Sequence, residues 1–151
     1  MYVHNLLSQL FPCLWTGLFE NSQIWKEILK KQNFQHIVDF IGFDTDSIMI
    51  VECTRQFLSD RTIVGEYETA KLTHVKAILE NRGYKVYGIL VCSELFESNS
   101  VLYRSIIDRY GGQVYFLFGE DLDEIEVNIS TITSHHELVR YSRNYKLGLK
   151  R

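Results

Sequence analysis

His36-Ile-Val-Asp39-Phe-Ile-Gly-Phe43 and, after Asp44-Thr45-Asp46, Ser47-Ile-Met-Ile-Val-Glu52-Cys-Thr54 decide how the rest of the chain folds. Both runs are rich in Ile, Val, Phe and Met, and the polar residues between them suit a tight turn, so the pair predicts a β-hairpin. Strand alternation sets Ile48, Ile50, Glu52 and Thr54 on one face and Met49, Val51 and Cys53 on the other. Glu52 thus falls in line with apolar side chains near a strand end, where a carboxylate is costly unless it is paired or bound to a metal. Asp39 interrupts its own run in the same way. Across a tight turn the two carboxylates come side by side on adjacent strands, and hard divalent cations such as magnesium take oxygen ligands of this kind. The plainer alternative is that each acid lies on a solvated sheet face or pairs with a lysine.

Upstream, Thr16 caps a helix expected over residues 16–32, with Leu18, Trp25 and Leu29 in register, Ile24 and Ile28 beside them, and Glu20 in its first turn. Downstream, residues 64–82 predict a helix whose apolar stripe is Leu72, Val75 and Leu79, with Gly83 placed to end it. Residues 86–92 are nearly continuous apolar, the pattern of a strand covered on both faces. A helix over 98–110 ends at Gly111-Gly112, and 113–118 follow as another buried strand. The order α-β-β-α-β-α-β predicts an α/β fold, a mixed central sheet flanked by helices.

A chain of 151 residues suits one domain, and 46% hydrophobic with 23% charged residues excludes disorder, collagen and coiled coil. The stretch 6–19 is broken by Ser8, Gln9, Pro12 and Thr16 and has no basic flank, so neither a signal peptide nor a membrane helix is expected. Cys13, Cys53 and Cys92 show no C-x-x-C spacing, which argues against a disulfide framework or a cysteine zinc site and for a reducing, cytoplasmic setting. Residues 135–151, a basic tail or helix of the same domain, carry +4, while residues 1–134 carry −7. Arg140, Arg143 and Lys146 are therefore candidate contacts for a polyanion such as DNA, the bland reading being a solvated terminus.

Asp39-Phe-Ile-Gly-Phe with Ile-Met-Ile-Val-Glu52-Cys-Thr54 resembles the core of the restriction-endonuclease-like superfamily, the P-D…(D/E)-x-K nucleases. Gly17-Leu-Phe-Glu20 is similar to the Phe-Glu signature on that superfamily's first helix. The resemblance runs over residues 17–118. It implies an α-β-β-(β)-α-β-α-β core, with a short third strand within 56–63, for a nuclease-like domain over 1–134. It implies metal-dependent endonuclease activity on DNA, in restriction or repair, with Mg2+ or Mn2+ held by Asp39 and Glu52 and with Glu20 assisting. The motif lysine should stand at Thr54. In E-C-T variants a lysine from the following helix takes over, and Lys71 is the first candidate, Lys76 the second. Arg55 points to the face opposite Glu52. Thr54 itself would add its hydroxyl or carbonyl. Partners implied are DNA, a second copy, or a DNA-recognition subunit or domain. The alternative is a catalytically inactive nuclease-like fold serving as a DNA-binding or protein-interaction subunit.

Other residues rank lower. Adjacent His135 and His136 point apart on any regular element and read as a polar loop; His74 reads as surface. Glu120, Asp121, Asp123, Glu124 and Glu126 read as a solvated acidic edge. The dinucleotide, Walker, serine-hydrolase and zinc-protease motifs are absent.

Overall fold

The apolar runs assemble into one mixed sheet in the order β1-β2-β3-β4-β5. Its strands are β1 (Trp15–Thr16), β2 (Phe40–Phe43), β3 (Ile48–Thr54), β4 (Val86–Cys92) and β5 (Tyr115–Leu117). The computed structural model describes residues 15–16, 38–43, 47–54, 65–92 and 100–148. The predicted hairpin forms: β2 and β3 pair antiparallel from Phe43↔Ile48 to Phe40↔Val51. β3, β4 and β5 then run parallel, each joined to the next through a helix, α1 (Gly65–Asn81) and α2 (Ser100–Tyr110). Thr16, expected as a helix cap, is the last residue of β1, which pairs antiparallel with β2. The remainder of the expected 16–32 helix, Glu20 within it, and the possible strand in 56–63 lie outside the described residues.

Alternation along the strands feeds two separate apolar layers. Ile48, Ile50, Leu90 and Phe116 pack against Leu72, Val75 and Leu79 of α1 and against Tyr103, Ile106 and Ile107 of α2. On the other face Met49, Val51, Ile89, Val91 and Leu117 meet Leu122 and Ile125 of α3 (Gly119–Val127), Ile132, and Leu138 and Val139 of α4 (His135–Val139). A 3-10 turn, Ile129–Thr131, joins these two helices. The architecture is α/β, with helices on both faces of the sheet. Among the described residues no helix is long and apolar enough to cross a membrane.

Local chemistry fixes how α1 ends. Gly83 takes φ +92°, its N–H donates to the Glu80 carbonyl, and the Tyr84 N–H reaches back to the Leu79 carbonyl. This is the double bond of a Schellman stop, which favours glycine because a Cβ is strained at that φ. The stop turns the chain directly into β4 and so sets where α1 lies along β3.

The C-terminal residues correct two sequence expectations. The acidic run is not simply a solvated edge. Asp121 is fully buried in the first turn of α3, where its Oδ2 accepts the Phe118 N–H at 2.8 Å and Arg143 Nε at 3.0 Å. Lys146 Nζ reaches Asp121 Oδ1 at 2.5 Å and Glu124 Oε2 at 2.6 Å, while Arg143 also bonds Glu120. The second correction concerns the histidine pair, which opens helix α4 rather than lying in a loop. Ser134 caps that helix by accepting the Glu137 N–H, and His135 is wholly buried. Its Nδ1 lies 2.7 Å from Ser47 Oγ, tying α4 to the start of β3. His136 is exposed, as is His74.

Among the described strands β5 lies at one edge of the sheet, and an edge leaves backbone groups open. Asn144 of α5 (Arg143–Lys146) meets backbone groups there. Its Oδ1 accepts the Phe116 N–H at 2.9 Å, and its Nδ2 donates to the Val114 and Gly111 carbonyls at 2.8 and 3.0 Å. Asn144→Ala should lower unfolding free energy by about 2–4 kcal/mol in urea titrations, because three buried backbone groups lose their partner at once. A loss within about 0.5 kcal/mol, the range of ordinary surface substitutions, would mean the edge does not depend on it.

Candidate active site

One step beyond the Phe40↔Val51 pair, Asp39 stands opposite Glu52. Here the two strands separate, and side chains replace the ladder. The Asp39 N–H donates to Glu52 Oε1 at 2.8 Å, and the Cys53 N–H donates to Asp39 Oδ2 at 2.8 Å. Each carboxylate is thus fixed by the backbone of the opposite strand, and charge-assisted bonds of this kind are among the stronger ones in proteins.

Glu52 lies on the face covered by α1, as the alternation of β3 predicts, and is only 4% exposed. Lys71 projects from the second turn of α1, and its Nζ sits 3.3 Å from Glu52 Oε1. The helix can deliver it there because Leu72, Val75 and Leu79 seat α1 on the sheet, leaving Lys71 at the border of that contact. Lys76 is turned about 140° further round the helix and pairs with Glu80 at 3.5 Å. Thr54 is the half-buried last residue of β3, opposite Cys92 in the register. The structure therefore brings together Asp39, Glu52 and Lys71, with Thr54 two residues along. Glu20 and Arg55 lie outside the described residues.

Burial raises the pKa of Glu52 to about 7, the Asp39 carboxylate adds to the rise, and Lys71 works against it. The neighbouring Cys53 thiol is pushed up to about 12 by burial and then by the Asp39 and Glu52 charges. A thiol held that high carries almost no thiolate at neutral pH, which removes Cys53 as a nucleophile.

The donor set fits a hard cation. Asp39 Oδ1 and Glu52 Oε2 take no hydrogen bond among the described residues, so each carboxylate keeps one oxygen for a ligand. No group of three or more His, Cys, Asp or Glu side chains suited to a metal is assembled among the described residues. Two carboxylates with water completing the shell is an arrangement magnesium accepts, since it dehydrates reluctantly.

Two features near Lys71 were not legible in the pattern. Glu68 stands one turn before Leu72, and its Oε2 is buried with no hydrogen-bond partner. Tyr67, one turn before Lys71, is 66% exposed, with its ring centroid 5.9 Å from Lys71 Nζ. Only an unusually exposed aromatic in an otherwise polar helix turn could have signalled it. The basic candidates of the C-terminus lie elsewhere: Arg143 and Lys146 engage Glu120, Asp121 and Glu124, and Arg140 is exposed. Burial alone would lower the Lys146 pKa, but its bonds to Asp121 and Glu124 outweigh this and raise it.

No protein-family model matches the chain, and no curated protein matches it in sequence.

The raised Glu52 pKa gives a signed expectation. Between 4.5, its ordinary value, and about 7, the folded chain binds more protons at Glu52 than the unfolded chain. The resulting stabilisation is complete below the lower value and is lost as pH rises through the upper one. In chelator, Glu52→Gln should therefore gain roughly 1–3 kcal/mol relative to the native chain between acidic pH and pH about 8. Parallel stability–pH curves for the two proteins would contradict the assignment.

Proposed function

We propose that the chain is a divalent-metal-dependent nuclease that hydrolyses DNA phosphodiester bonds, built on a restriction-endonuclease-like core. The observation that carries this reading is the Lys71–Glu52 contact: with Thr54 at the place of the motif lysine, the next helix delivers an ammonium to the same carboxylate. The reciprocal Asp39–Glu52 and Cys53–Asp39 hydrogen bonds support it, because they hold the two acids in one geometry before any ligand arrives.

Asp39 and Glu52 would hold Mg2+ or Mn2+, which when bound polarises the phosphate and lowers the pKa of an attacking water. The chain supplies the remainder. Backbone N–H groups of Asp39 and Cys53 orient the carboxylates, so little reorganisation is needed when the ligand enters. Lys71, largely buried beside Glu52, would orient the water or stabilise negative charge growing on the phosphoryl oxygens. Such preorganised charge is worth more here than in bulk water. Thr54 would add its hydroxyl or carbonyl, as the E-C-T resemblance implies. Selection of a target would come from a second copy or from a DNA-recognition partner, since base readout needs side chains placed at base edges in a groove.

The test is cleavage of labelled DNA by purified protein with Mg2+ or Mn2+. Lys71→Met should lower the turnover rate by roughly 10^2- to 10^3-fold while affinity for DNA, measured in chelator, changes little. Glu52→Ala should abolish cleavage with its circular dichroism spectrum preserved. Equal cleavage by Glu52→Ala, or by the native chain in excess chelator, would refute metal catalysis at this site. A folded native chain that binds DNA without cutting it would favour the non-catalytic alternative.

A further inference from the structure

Tyr67, Lys71 and Glu52 form a gradient from solvent to interior. Tyr67 as a whole residue is 66% exposed, the Lys71 side chain 15%, and the Glu52 side chain 5%. The ammonium stands between them, 5.9 Å from the ring centroid and 3.3 Å from the carboxylate. Tyr67 belongs to neither apolar cluster, so packing of the core does not account for it. Of the other exposed large apolar residues described, Tyr84 lies past the far end of α1, Val101 on α2 and Val127 on α3. Among the described exposed large apolar residues, Tyr67 is the one within a helical turn of the site's cation.

We infer that Tyr67 is a stacking platform that selects DNA with an unpaired nucleotide beside the scissile phosphate. This inference rests on the nuclease reading above and names its substrate class. With the scissile phosphate at the Asp39–Glu52 site, the nucleoside that flanks it reaches the rim, where Tyr67 is exposed one helical turn from Lys71. Stacking on an aromatic ring is indifferent to base identity, because every base has a π-surface. It is not indifferent to pairing. A base inside a duplex already has neighbours on both faces, whereas an unpaired or frayed base has a face to offer. Tyr67 is therefore a selector of strand state, and Lys71 remains the group that acts on the phosphate.

The experiment compares a fluorescein-labelled single-stranded DNA oligonucleotide with its duplex. Binding is followed by fluorescence anisotropy in chelator, and cleavage by gel in Mg2+, for the native chain, Tyr67→Ala and Tyr67→Phe. The native chain should bind the single strand more tightly than the duplex. Tyr67→Ala should weaken single-strand binding by roughly 5- to 150-fold, with duplex binding little changed. Its KM for the single strand should rise while kcat is retained, and Tyr67→Phe, which keeps the ring, should behave as native. Unchanged single-strand affinity in Tyr67→Ala, or equal losses on both substrates, would overturn the inference. The nuclease reading fails differently: binding would follow the Tyr67 pattern, yet neither substrate would be cut. Cleavage of both substrates with Tyr67→Ala silent would overturn the stacking role and leave the nuclease reading standing.

Discussion

A carboxylate at the covered end of a β-strand has to be compensated, and the neighbourhood of Glu52 is organised around that requirement. Water is largely excluded from it, so its charge must be met by the protein or neutralised by a proton. The compensation comes from two directions: the N–H of Asp39, just before β2, and the Lys71 ammonium on α1. Neither is available unless the hairpin register and the seat of α1 are both correct. Assembly of the candidate site and assembly of one apolar layer are therefore the same event. The compensation is also incomplete, because Glu52 still titrates near neutral pH.

The opposite edge of the sheet solves a different electrostatic problem. The acidic run of α3 and the basic residues of α5 are complementary, and much of the charge asymmetry in the sequence is resolved inside the molecule. Asp121 is fully buried and is met by the Phe118 N–H, Arg143 and Lys146. A buried acid with two cations and a backbone donor gains from each bond, and removing any one would leave charge stranded. Together with the Asn144 amide on β5, this anchors the C-terminal helices against the sheet. The residues that looked most available to a polyanion are thus partly committed to holding the fold.

Much of the framework was legible because it follows short-range periodicity. The continuous apolar run 86–92 is β4 to the residue, and Leu72, Val75 and Leu79 face the sheet as their spacing requires. The short polar spacer 44–46 between two apolar runs made the antiparallel pairing legible, and with it the opposition of Asp39 and Glu52. That Lys71 approaches Glu52 was also reachable, since the stripe of α1 fixes which side of the helix borders the sheet. What escaped depends on partners remote in sequence. His135 is buried because Ser47, 88 residues away, receives it, and nothing in a His-His pair announces that. Asp121 reads as one of five surface acids until residues 22 and 25 positions later close over it. Asn144 acquires its role only when β5 becomes an edge. The two-residue strand β1 is too short to carry a period.

On the proposed reading, function and fold would make opposite demands on the side chains of Asp39 and Glu52. Asp39 and Glu52 each give one oxygen to the protein's own donors, and their second oxygens have no hydrogen bond among the described residues. The central claim is that those two second oxygens converge on one cation. Anomalous scattering from a manganese-soaked crystal tests it most directly. The account predicts a manganese peak shared by Asp39 Oδ1 and Glu52 Oε2, with the Lys71 ammonium beside it, and loss of that peak in Asp39→Asn. Manganese bound elsewhere, or no peak between these two carboxylates at saturating metal, would contradict it.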